Sequence, residues 1–188
     1  MLTVNAIPRI LGPDGKCYGF DERAEGYGRG EGTASLILKP LDDAIKDGDP
    51  IRAVIRETGM NQDGRTPTIT SPSQHAQENL IRDTYAQAGL DPKDTVYVEA
   101  HGTGTIAGDT IELSAIGKVF GRDRSPQEPL FIGSIKANMG HMESTSGLAA
   151  IIKVVLMLEQ EQIPPHALFE SPNSRVNFEQ LKVTVRLK

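Results

Sequence analysis

The sequence predicts an α/β layered fold, with a mixed sheet carrying helices on its faces. Three observations predict it. Short strand-like runs alternate with helical segments along the 188 residues. Two segments carry the spacing of a capping box and so open helices. Glycine-rich turns lie directly after strand-like runs and directly before helical ones, the place where sites gather in α/β sheets. The length fits one globular domain or a large piece of one.

Taken in order, residues 11–32 are dense in glycine and read as loop. Residues 33–38 (TASLIL) form an apolar run that predicts a buried strand. Residues 41–46 predict a short helix stopped by Gly48. Residues 51–57 (IRAVIRE) alternate apolar and charged side chains, the pattern of a half-exposed strand. Ser71, Pro72 and Gln74 make a helix start, with Ala76, Leu80, Tyr85 and Ala88 on or near one face and Gly89 at the end. Residues 95–99 (TVYVE) predict a strand. Asp109 and Glu112 have capping-box spacing and predict a helix starting there, with Ile111, Ala115, Ile116 and Val119 inward. Residues 130–135 predict a further strand. Residues 148–158 are apolar nearly all round apart from Lys153, which predicts a helix buried on every face. Residues 183–187 (VTVRL) alternate as a last strand. Short turns join the early strands and helices join the later ones, so the sheet is expected to be mixed.

Composition excludes several classes. Acidic side chains outnumber basic ones by 25 to 20, so nucleic acid is a poor default partner. The absence of Trp argues against a base-stacking platform. One cysteine excludes an internal disulfide framework and a multi-cysteine metal site. The apolar run 148–158 is too short to span a bilayer, which takes about 20 residues. The first fifteen residues show no targeting pattern. The expectation is a cytoplasmic protein with no membrane partner.

The turns at 99–105 (EAHGTGT) and 136–141 (KANMGH) each deliver a histidine to a strand end. Two imidazoles converging there can stabilise a developing oxyanion, or one can serve as a base. Two ordinary loop histidines remain the plain alternative. A zinc site built on His101, His141 and Glu143 lacks a helical histidine pair and a cysteine partner, so no metal is expected. The segment 26–32 (GYGRGEG) lacks the lysine of a phosphate loop, and a strand is expected to follow it, which disfavours a nucleotide-binding domain. Cys17 reads as a structural or incidental thiol, although Lys16 beside it would lower its pKa. His75 and His166 read as surface residues.

VEAHGTGT (98–105) with GDTIE (108–112), and GSIKANMGHMESTSG (133–147), resemble two signatures of β-ketoacyl synthases, the ketosynthase domains of polyketide and fatty-acid synthases. FDERAEGYGRGEG (20–32), NQDGRTPTITSPS (61–73) and IPPHALFESPN (163–173) are similar to the same family in the same order. The resemblance covers nearly the whole chain and is closest to large multidomain polyketide synthases of the fungal iterative kind.

The resemblance implies a thiolase-like fold and a decarboxylative Claisen condensation of acyl and malonyl thioesters. It implies that His101 and His141 are the two active-site histidines, Lys136 the active-site lysine and Glu112 its carboxylate partner. It further implies that Thr103 and Thr105 hydrogen-bond the pantetheine arm, and that the 26–32 turn lines the acyl pocket. No directly bound cofactor is implied: substrates ride on the phosphopantetheine of an acyl carrier protein, and the complete enzyme is a homodimer. The family's nucleophile lies in a cysteine–serine elbow upstream of the glycine-dense loop, and a GFGGTN-type loop lies toward its C-terminus. Both are expected to fall outside residues 1–188, which leaves a partial ketosynthase domain, roughly the second half, inactive by itself. Cys17 does not match the elbow. Thr110 stands where proline is usual, a mild departure, since Thr tolerates a helix's first turn. The competing expectation is a non-catalytic remnant or interaction module that keeps the fold without turnover.

Overall fold

The computed structural model describes residues 10–68 and 70–187. The reading of the N-terminal nine residues, and Ile69 within the 61–73 motif, lie outside them. Six α-helices are present among the described residues: α1 (Leu41–Asp47), α2 (Gln74–Ala88), α3 (Ile106–Phe120), α4 (Lys136–Met139), α5 (Ser146–Gln160) and α6 (Phe178–Leu181). Three strands, β1 (Tyr97–Glu99), β2 (Leu130–Gly133) and β3 (Val183–Val185), form one sheet in the order β1-β2-β3.

Both strand pairs are parallel, with Val98 opposite Ile132 and Ile132 opposite Val185. The expectation of a mixed sheet rests on reading residues 33–38 and 51–57 as strands. Both segments are irregular, and no described strand pairs with them. A strand needs a neighbour to satisfy its backbone, and these two have none here. What remains is the helix-connected part of the pattern, and parallel strands require such crossovers.

Helix α2 starts two residues later than Ser71 suggests. Ser73 is its cap and accepts from the Ala76 N–H, while Gly89, at φ 65°, closes its end. It packs on α3 through Tyr85, whose ring meets Phe120 edge-on at 5.2 Å. Helix α3 starts at Ile106, three residues before Asp109. The core lies between α3 and the sheet, where Phe20, Leu113, Leu130 and Ile132 are fully buried, with Val176, Val183 and Val185 around them. Helix α5 runs two residues past the expected 148–158 at each end and lacks the expected burial: Ile151, Leu156 and Leu158 are exposed. No described helix is long and apolar enough to cross a membrane.

Candidate functional site

The turns that follow β1 and β2 meet at one edge of the sheet. His101 follows β1 and His141 follows β2 and α4, and their rings lie 5.2 Å apart, edge to face. The two histidines therefore share one site, beside a cavity of about 510 Å³ that His101, His141, Thr103, Thr105, Glu112 and Tyr27 all line.

The His101 turn is held by carboxylates from α3. Glu112 accepts from the backbone N–H of His101 at 2.6 Å and of Gly102 at 2.9 Å. Asp109, fully buried, accepts from Gly104 at 3.0 Å and from Phe20 at 2.7 Å. The two acids that read as a capping box thus serve the adjacent turn, and the helix begins one turn earlier. Gly102 has φ 46°, and a Cβ there would lie 2.7 Å from both Phe20 and Ser134, so only glycine fits. Thr103 is buried and Thr105 half-buried, with hydroxyls 3.4 Å apart.

The His141 turn is held by residues 28–30. His141 donates its backbone N–H to Gly28 at 2.7 Å and accepts from Gly30 at 3.0 Å. Gly140, at φ 76°, lets the chains approach so closely that a Cβ would lie 2.8 Å from the Arg29 carbonyl oxygen. The ring tautomer follows from its neighbours. Nδ1 accepts from the Glu143 N–H at 3.2 Å and lies 2.8 Å from Ser146 Oγ. Ser146 Oγ itself accepts from the Met142 N–H, so its own proton is free to reach Nδ1. Nδ1 is an acceptor twice over, and the ring proton sits on Nε2. His101's ring has no hydrogen-bond partner among the described residues.

Lys136 is buried at the start of α4 and does not line the cavity. Burial pushes its pKa down, and the charges of Glu112 and Glu99 oppose that shift. Lys136 and Glu112 therefore feel each other through space, yet among the described residues no ion pair within 4.0 Å joins them. Burial, then the positive charge of Lys136 and that of His141 when its ring is protonated, push His101 down to about 4. Burial likewise lowers His141.

Cys17 is buried, with its sulfur between the N–H and carbonyl of Gly28 at 3.3 and 3.5 Å. Burial raises its thiol pKa, so Lys16 does not activate it. His75 is exposed as expected. His166 is not a surface residue: it is buried, accepts from the Ser134 N–H at Nδ1 (3.3 Å) and donates from Nε2 to the Gly19 carbonyl (3.2 Å). Its proline-rich surroundings suggest a surface loop, but Phe20 and Phe169 cover its ring.

Sequence reasoning misses the network behind the turns. Ser134 donates its hydroxyl to the His101 carbonyl at 3.0 Å, linking the two loops. Glu99 pairs with Lys153 at 2.6 Å with both side chains largely buried. A signal for that pair is present, since a lysine on an otherwise apolar helix requires a partner. No metal-holding cluster of His, Cys, Asp or Glu occurs among the described residues.

Known proteins match this arrangement closely. The family model for the β-ketoacyl synthase C-terminal domain matches residues 52–170, and that for the N-terminal domain matches residues 3–44. The highly reducing polyketide synthase poxF of Penicillium oxalicum is 60% identical over 95% of the chain. The squalestatin tetraketide synthase of Phoma sp. is 55% identical over 95% of it. The chain spans 7% of the length of each. Among solved structures, the ketosynthase from module 6 of the bacillaene synthase of Bacillus subtilis 168 superposes with a TM-score of 0.92 at 41% identity. It covers 96% of this chain, which spans 32% of that one. The oxazolomycin ketosynthase OzmH KS7 of Streptomyces albus JA3453 gives 0.90 at 34% identity, again with coverage of 96% and 32%.

Proposed function

Since the chain belongs to the β-ketoacyl synthase family, we propose that it supplies the histidine and lysine side of a condensing site in a polyketide synthase. The reaction is decarboxylative Claisen condensation. A malonyl thioester, carried on the phosphopantetheine of an acyl carrier protein, loses CO2, and the resulting enolate carbon attacks an acyl thioester, forming the new C–C bond as the C–S bond breaks and the thiolate leaves. The acyl carrier protein and a second copy of the synthase are the partners in this reading.

The observation that carries it is the convergence of His101 and His141, 5.2 Å apart at the ends of two parallel strands. Decarboxylation places negative charge on the thioester oxygen. His141 offers Nε2–H there, locked by the bonds to its Nδ1. His101 is neutral at pH 7 and offers a second N–H without bringing a charge. Preorganised donors of this kind stabilise an enolate because they need no reorganisation as charge develops. Thr103 and Thr105, on the cavity wall, are the hydroxyls for the pantetheine arm. Lys136 lies behind the histidines and sets the charge of the site through space. The acyl chain rides on a thiol other than Cys17, whose sulfur is enclosed and whose pKa is raised.

The test is release of CO2 from a malonyl thioester by the complete synthase. His141→Ala and His101→Ala are each expected to slow it by about 100-fold or more, the usual cost of one oxyanion donor. Rates within about threefold of the parent enzyme in both variants would refute the assignment, being far short of the loss expected for such a donor.

A further inference from the structure

Behind the site lies a polar network that the condensation chemistry does not use. Glu99, the last residue of β1, has a nearly inaccessible side chain, and both its oxygens are engaged. Oε1 accepts from the backbone N–H of Ile135 at 2.5 Å. Oε2 takes Lys153 Nζ at 2.6 Å and the Tyr97 hydroxyl. Lys153 also donates to Tyr97 Oη at 2.8 Å. Lys153 comes from the middle of α5, and only 13% of its side chain is exposed.

The position of Ile135 gives this network its meaning. Ile135 caps α4 and immediately precedes Lys136. Ser134, one residue earlier, bonds to the His101 carbonyl through its hydroxyl. The Glu99–Ile135 bond therefore fixes the turn from which Lys136 and the His101 tie both emerge. Lys153 is the cation paired with Glu99 there, and a buried charge left without its partner is strongly disfavoured. Its charge also reaches Lys136, alongside that of Glu112.

We infer that Lys153, acting through Glu99 and Tyr97, is a positioning residue for condensation: it keeps Glu99 bonded to the turn that carries Lys136. The inference rests on the functional reading above. The residue touches none of the reacting groups in that reading, and its effect is to hold the geometry on which they depend.

The experiment compares Lys153→Met, the double variant Glu99→Gln/Lys153→Met and the double variant Glu99→Leu/Lys153→Met in the complete synthase. A glutamine amide at position 99 retains an oxygen for the Ile135 N–H, whereas a leucine side chain there has none. Three quantities are read: kcat and KM for malonyl-thioester decarboxylation, and amide exchange of residues 134–137 by mass spectrometry. Lys153→Met is expected to lower kcat about tenfold or more with KM unchanged, since small misplacements have large catalytic effects. The glutamine double variant is expected to recover most of that loss and the slow exchange, and the leucine double variant to recover neither. Parent-like kcat and exchange in Lys153→Met would overturn the inference. So would equal losses in the two double variants that follow only their melting temperatures. Lys136→Ala is the control for the reading beneath: full activity there would sink the proposed function, while the exchange data still judge whether Lys153 holds the turn.

Discussion

His101 owes its chemistry to what surrounds it. Burial, then the Lys136 cation and the charge of His141 when that ring is protonated, hold its pKa near 4, against an ordinary 6.5. Between those values the unfolded chain binds more protons than the folded one. Its contribution to stability is therefore complete above about pH 6.5 and is lost as pH falls toward 4. The same arrangement makes a prediction for Lys136. Replacing it by Met removes a positive neighbour, so His101 becomes easier to protonate and its midpoint rises. It stays below 6.5 because burial, the larger cause, is unchanged. A ¹³C-histidine titration of the complete ketosynthase domain, parent against Lys136→Met, measures this directly. An unmoved or lowered midpoint would show that Lys136 does not govern the ring. The tautomer of His141 has a different origin, in two donors aimed at Nδ1. The two histidines are thus equivalent in sequence signature but prepared differently: one by its electrostatic surroundings, the other by hydrogen bonds.

At the scale of elements, α1, α2, α3 and α5 are legible in the sequence because their signals are local, whereas α4 lies in a segment that reads as a turn and α6 has no counterpart in that reading. Gly89 ends α2 and Gly48 ends α1, each in the left-handed region. The three strands of the sheet are also legible, and so is the delivery of both histidines to one edge, which topology dictates. Segments 33–38, an apolar run, and 51–57, an alternating one, mislead because either pattern describes a strand only when a neighbour pairs with it. Asp109 and Glu112 misplace the start of α3 because their side chains bond the turn N–H groups of Gly104, His101 and Gly102. The roles of His166 and Glu99 are invisible because their partners are remote in sequence. Asp21 belongs with them. It ties the glycine-dense loop to residues 168–174, accepting from the Glu170 and Ser171 N–H groups at 2.7 and 3.0 Å and pairing with Arg23. Burial works against its charge, but Arg23 and those N–H groups prevail and hold its pKa at about 2. A folded value below the ordinary 3.8 means that the clamp stabilises above about pH 3.8 and weakens as pH falls toward 2. Asp21→Asn places an amide among N–H donors. It is expected to lower stability by about 1–3 kcal/mol at neutral pH and to flatten the acid limb between about pH 4 and 2. Urea midpoints of the ketosynthase domain across that range measure both. An acid limb as steep as the parent's would remove Asp21 from this role.

At the scale of the whole molecule, the surface is too large and too apolar for a self-sufficient domain. A 20.4 kDa monomer is expected to expose about 8,800 Å², whereas this molecule exposes 12118 Å². Part of that surface is apolar side chain on helix and loop without cover. Ile37 is fully exposed and Met60 is 90% exposed, and α5 presents Leu156 and Leu158 at 51% and 60%. A groove of about 810 Å³ runs along the same helix, lined by Met139, Met142, Ile152 and Leu156 among others. The apolar periphery of α5 therefore asks for a partner surface, and the chain spans only 32% of the bacillaene ketosynthase it superposes on. Burying one side chain of this size is worth about 1.5–3 kcal/mol, against a typical domain stability of about 5–15 kcal/mol. Several such side chains left in water match the whole margin. The 188 residues expressed by themselves are thus expected to bind a hydrophobic dye, to self-associate and to melt without a sharp transition. Co-expression with the rest of the ketosynthase domain as a separate chain is expected to reduce dye binding and restore a cooperative melt. Light scattering, dye fluorescence and calorimetry on the two preparations decide the matter. A monodisperse monomer with a cooperative melt and no dye binding would show that α5 finds its cover within these residues.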